Sequence, residues 1–112
     1  MLETAKFVVD TLDDKKGEDI LLLDVKDIAS FADYFVFCTA TSDRMLDALA
    51  KSIKEEVKKE HQLNATIEGN SSSGWLLLDI GDIIVHLFSP EQRDYYRLEE
   101  LWSGGKVLVK LQ

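Results

Sequence analysis

The most strongly patterned stretch of the chain is Trp75-Leu76-Leu77-Leu78-Asp79-Ile80, then Gly81-Asp82, then Ile83-Ile84-Val85-His86-Leu87-Phe88. Two apolar runs around a Gly-Asp pair predict a β-hairpin with a two-residue turn. With Gly81 and Asp82 as the loop, Ile80 faces Ile83, Leu78 faces Val85, Leu77 faces His86 and Trp75 faces Phe88. Side chains alternate across a strand, so one face carries Leu76, Leu78, Ile80, Ile83, Val85 and Leu87, all aliphatic. The other carries Trp75, Leu77, Asp79, Ile84, His86 and Phe88.

The pattern elsewhere predicts the following elements. Leu2, Ala5, Val9 and Leu12 recur at helical spacing over residues 2–14, with Gly17 beyond as a left-handed cap. Asp19 to Val25 is a short apolar run bounded by acids, a buried strand. Tyr34 to Ala40 is aromatic and β-branched, and its consecutive apolar positions place it mid-sheet with both faces covered. Thr41-Ser42-Asp43 opens the main helix, whose stripe is Met45, Leu46, Leu49, Ile53 and Val57 and which fades near His61-Gln62. Residues 65–68 form a short edge strand, and 69–74 a loop by composition. After the hairpin, Ser89-Pro90-Glu91-Gln92 combines an N-cap, a first-turn proline and a capping-box glutamine. Tyr95, Leu98, Leu101 and Trp102 give that last helix its stripe, and Gly104-Gly105 ends it. The tail 106–112 alternates weakly and reads as a strand or as frayed. The order is α-β-β-α-β-β-β-α. It predicts a single α+β domain over residues 1–112, with one mixed β-sheet of about five strands and helices packed mainly on one side.

The two hairpin faces need different explanations. The aliphatic face is a core face. The mixed face holds a carboxylate and an imidazole among large apolar groups, and burial beneath the domain's own helices would require partners for both. Left bare, Trp75 and Phe88 alone bring ~300–500 Å² of aromatic surface, close to the largest patch on a typical monomer. Apolar surface dotted with polar anchors is the composition of a protein interface. The expected partner-binding set is therefore Trp75, Leu77, Asp79, Ile84, His86 and Phe88.

Charge narrows the partner. The chain has 21 acids against 13 bases, a net charge of −8. Residues 1–41 hold nine acids and four bases, residues 42–61 five of each, and residues 62–112 seven and four. No segment has the clustered Lys and Arg that phosphate neutralisation needs, so direct nucleic-acid binding is not expected. An acidic protein can still sit on a ribonucleoprotein if its target there is a basic protein component. The single cysteine, Cys38, excludes an internal disulfide and fits a reducing compartment. No run is long and apolar enough to span a membrane, and the first residues do not read as a signal peptide. The expected location is the cytoplasm.

No catalytic, metal-ligating or cofactor-binding set is identified. Cys38 has apolar neighbours and reads as a buried structural thiol. Ser42 is spent as a helix cap, and Asp79 and Asp82 straddle a turn and do not converge on a metal. The polar turn Thr39–Asp43 before a helix N-terminus offers a weak anion-binding signal without glycines.

One ordered set of residues runs through nearly the whole chain. It comprises Asp33-Tyr34-Phe35-Val36, Thr39 to Arg44, Glu68-Gly69, Trp75, Asp79, Gly81-Asp82, Val85-His86, and Arg93 to Trp102 with Tyr96, Leu98, Glu99 and Leu101. In this set the chain resembles the ribosomal silencing factor family, also called the Iojap-like family. The resemblance implies a nucleotidyltransferase-like fold that has lost its catalytic acids, and so a non-enzyme without cofactor. It also implies binding to the large ribosomal subunit through its fourteenth protein, which blocks joining with the small subunit and represses translation under nutrient limitation. Homodimers are implied off the ribosome. The competing reading is a residual nucleotidyltransferase or nucleotide-binding domain.

Overall fold

A computed structural model describes residues 1–112. The elements run α1 (Leu2–Asp14), β1 (Glu18–Asp24), β2 (Tyr34–Thr39), α2 (Asp43–His61), β3 (Thr66–Asn70), a 3-10 turn (Ser71–Ser73), β4 (Trp75–Ile80), β5 (Ile83–Phe88), α3 (Pro90–Tyr96), the single turn α4 (Leu98–Leu101) and β6 (Lys106–Leu111). The strands form one mixed six-stranded sheet in the order β3-β4-β5-β2-β1-β6. The fold is α+β.

The hairpin register follows the alternation of the sequence. Ile80 pairs with Ile83, Leu78 with Val85, Leu77 with His86 and Trp75 with Phe88, and Gly81 takes φ +71° in the turn. Strand β2 lies between β5, which it joins in parallel, and β1, and all six of its residues are buried. Ser42 caps α2 by accepting the Met45 N–H at 3.1 Å, and Ser89 caps α3 by accepting the Gln92 N–H at 3.2 Å.

The two faces of the sheet are packed differently. Helices α1 and α2 lie on the aliphatic face, where Val8, Leu12, Leu46, Leu49 and Ile53 meet Leu76, Leu78, Val85 and Leu87 in the main core. The opposite face carries a smaller cluster of Leu23, Val25, Phe35, Phe37, Ile84 and Phe88, with Leu98 and Trp102 packed against it.

Three expectations are corrected and one holds. The sheet has six strands rather than about five, because the tail pairs antiparallel with β1, placing Leu22 opposite Val109 and Ile20 opposite Leu111. Helices lie mainly on one side, as expected, with α1 and α2 on the aliphatic face, while only the short α3 and α4 cross the mixed one. The last helix is not continuous: Arg97 adopts a left-handed φ of +48° and separates α3 from α4. The left-handed residue after α1 is Lys16, not Gly17. Gly17 serves a different need, because a Cβ there would stand 2.5 Å from the Cys38 Sγ and 3.1 Å from the Leu12 carbonyl oxygen. Cys38 is fully buried, and burial pushes its thiol up to about 12. Overpacking a dense core costs about 1–3 kcal/mol. Gly17→Val is expected to destabilise by that amount in urea titration, and Cys38→Ala to recover part of the loss.

Candidate functional site

Cross-strand pairs share a face, so the pairings build the mixed side row by row. Leu77, His86, Phe37 and Leu21 form one row from β4 to β1. Asp79, Ile84, Phe35 and Leu23 form the next, and Trp75 with Phe88 stands at the end nearest α3. Strand β3 extends the rows outward with Thr66 opposite Asp79, Glu68 opposite Leu77 and Asn70 opposite Trp75.

The structure brings the six expected residues onto one face but does not leave them equally free. Phe88 is 0% exposed, His86 6% and Ile84 8%. Trp75 and Leu77 are half-buried and Asp79 is exposed. The picture of a bare face is therefore corrected: Phe88, His86 and Ile84 form its floor. Trp75 lies 5.0 Å from the Phe88 ring and 4.9 Å from Tyr96 of α3, so the protein's own helix covers part of the ribbon. Helical coverage is incomplete because α3 and α4 are short.

The surface that remains is wider than the hairpin. Trp102 packs edge-on to Phe35 at 5.0 Å and to Phe31 at 5.9 Å. Phe31 is 60% exposed, Tyr95 78% and Leu101 72%. Phe31 continues the patch around the β1–β2 connection through Phe35 and Trp102, and Tyr95 continues it along α3 through Tyr96. The sequence signal for Tyr95, Leu98, Leu101 and Trp102 was helical spacing, which reads as one buried stripe. The break at Arg97 splits that stripe, burying Leu98 and Trp102 in part and turning Leu101 out.

His86 and Asp79 do not act as a pair. The Asp79 Oδ1 accepts the Gly81 N–H at 3.0 Å, which spends it on the turn. The Trp75 Nε1–H donates to the His86 Nδ1 at 3.3 Å. The imidazole is stacked against Phe37 at 5.2 Å and Phe88 at 5.9 Å, with Phe35 edge-on at 5.7 Å. Burial in this aromatic cage lowers its pKa from 6.5 to about 4. The unfolded chain then binds more protons than the folded one between those values, so stability is full above pH 6.5 and falls as pH drops toward 4. The loss is on the order of 2–3 kcal/mol. Urea midpoints at pH 7 and pH 4.5 should show it, and His86→Phe should flatten the difference.

Sequence reasoning missed an ion-paired latch. Arg93 of α3 donates through Nε to the Glu99 Oε2 at 2.6 Å and through Nη1 to the Thr39 Oγ1 at 2.9 Å and the Asp19 carbonyl oxygen. Six residues apart, Arg93 and Glu99 would not face each other on a continuous helix. The left-handed residue between them lets them meet. Gly69 is a second structural requirement beside the site. It takes φ +89°, and a Cβ would lie 2.6 Å from the Trp75 carbonyl oxygen, so β3 and β4 approach closely only without a side chain there. His61, at the end of α2, packs on Phe7 at 4.7 Å and lies 3.3 Å from the Thr4 hydroxyl.

The profile of the family described as ribosomal silencing factor during starvation matches residues 1–111. The chain belongs to the ribosomal silencing factor family. It is 40% identical to ribosomal silencing factor RsfS of Bacillus subtilis over 102 residues, covering 91% of this chain and 86% of that one. It superposes on the crystal structure of a Chromobacterium violaceum protein with a TM-score of 0.86 at 37% identity, covering 97% and 92% of the two chains. It is also 33% identical to the mouse protein named mitochondrial assembly of ribosomal large subunit protein 1, matching 46% of that longer chain. Membership gives the chain a role in ribosome silencing, with ribosome association and repression of translation. No helix is long and apolar enough to cross a membrane.

Proposed function

We propose that this ribosomal silencing factor acts in the cytoplasm by binding the large ribosomal subunit through its fourteenth protein, and that it represses translation under nutrient limitation by sterically blocking subunit joining. The observation that carries the reading is the aromatic face, with half-buried Trp75 at its α3 end beside Tyr96 and the exposed Tyr95, and exposed Phe31 at its other end against Phe35 and Trp102. Aromatic anchors over a packed floor are what hot spots are made of. Charge supports a basic protein partner, because Glu68 and Asp79 stand exposed on the same face. The mouse relative's name, which refers to assembly of the large subunit, points to the same half of the ribosome.

In this reading Trp75 and Leu77 make contact directly, Asp79 stands at the rim, and Ile84 and Phe88 hold the surface from below. The chain works as a wedge and no chemistry is required of it. Off the ribosome the chain forms homodimers in this reading. Sedimentation of the pure protein with isolated subunits tests the reading. Co-migration with large subunits, and loss of reassociation with small ones, is the expected result. Migration with small subunits, or unchanged reassociation, would refute it.

A further inference from the structure

We propose that Trp75 locks His86 into one tautomer, and that the outward His86 Nε2–H donates a hydrogen bond to a main-chain carbonyl of the protein that covers this face. The inference rests on the docking reading above and names the polar contact at its centre.

An indole N–H can only donate. The His86 Nδ1, 3.3 Å from the Trp75 Nε1, is therefore the acceptor, and the ring proton resides on Nε2. Nε2 has no hydrogen-bond partner within the protein. Nor is it sealed in, since the one enclosed side-chain polar atom without a partner is the Glu99 Oε1. His86, 6% exposed as a residue, thus keeps one unpartnered ring donor that is not fully enclosed. Stacking against Phe37 and Phe88, with Phe35 edge-on, fixes the plane in which that donor points.

A docked partner removes water from this spot. A donor left unmatched there costs about 1–3 kcal/mol, so a protein that covers the face well brings an acceptor to it. Glu68 and Asp79 on the same face oppose a carboxylate, and burial keeps the imidazole neutral. A neutral carbonyl satisfies both conditions, and every extended segment laid across the sheet carries one.

Long-range proton–nitrogen NMR of histidine-labelled protein reads the tautomer directly. A single Nε2–H form is expected in the unaltered chain and a mixture in Trp75→Phe, which keeps the ring but loses the donor. Affinity for isolated large subunits reads the contact. His86→Phe, which preserves the stack, is expected to weaken binding about tenfold, and Trp75→Phe about three- to tenfold. His86→Gln, whose amide nitrogen reaches the place of Nε2, is expected to regain most of the loss. A proton on Nδ1 in the unaltered chain overturns the lock. Full affinity in a folded His86→Phe overturns the contact while leaving the docking reading standing. Failure of the unaltered protein to bind large subunits defeats both the docking reading and the contact.

Discussion

Trp75→Ala is expected to lower affinity for the large subunit by roughly 30- to 1000-fold, the ~2–4 kcal/mol range of an interface hot spot. Three features place the effect here rather than at a neighbour. The indole is half-buried, so its inner edge is already ordered on Phe88 and Tyr96 and little side-chain entropy remains to be lost on docking. Its N–H holds His86 in place. Its outer edge is still open to solvent. Truncation removes all three together, which is why alanine should cost far more than phenylalanine. The aliphatic face beneath is untouched, so far-UV circular dichroism and the urea slope should stay unchanged. Large-subunit binding within threefold of the unaltered protein would remove the hairpin from the mechanism.

The sequence was most informative where one residue type admits one geometry. Gly81-Asp82 between two apolar runs admits only the two-residue loop, and the loop settles the register of all six pairs down to Trp75 and Phe88. Consecutive apolar residues in Tyr34–Thr39 placed β2 mid-sheet because water could reach neither side. The cover of the mixed face was not legible for a physical reason. Alternation shows that Phe88 is apolar and shares a side with Trp75, but it does not show whether that side meets solvent, a partner or the chain's own helix. That depended on where α3 turns, and the turn depends on Arg97 in a left-handed conformation that its residue type does not advertise. The same break produced the Arg93–Glu99 contact, which no helical spacing predicts. The tail was ambiguous because Lys106 to Leu111 is an edge strand, and an edge strand has one neighbour to impose a pattern on it.

Arg93→Ala is expected to destabilise the protein by about 3 kcal/mol and to weaken subunit binding as well. The guanidinium links α3 to α4 through Glu99 and to the ends of β1 and β2 through the Asp19 carbonyl and Thr39, with side-chain exposures of 14% for Arg93 and 23% for Glu99. Without it, the Glu99 Oε2 loses its charged donor, while Oε1 already lacks any partner. Breaking a buried pair from one side costs about 3–5 kcal/mol, and the partial exposure here sets the expectation at the lower end. For a domain of this size the melting temperature should fall by about 10–15 °C. Both tryptophans pack on the face that α3 and α4 cover, so their fluorescence should shift to the red as the cover loosens. Arg93→Lys should rescue little, because a single ammonium cannot reproduce the fork to a carboxylate, a hydroxyl and a carbonyl. Arg93→Met combined with Glu99→Met should recover most of the stability, since replacing both partners leaves no stranded charge. If Arg93→Ala melts within 2 °C of the unaltered protein, α3 is held by Tyr96 and Leu98 packing alone, and the latch is not what keeps the docking face in shape.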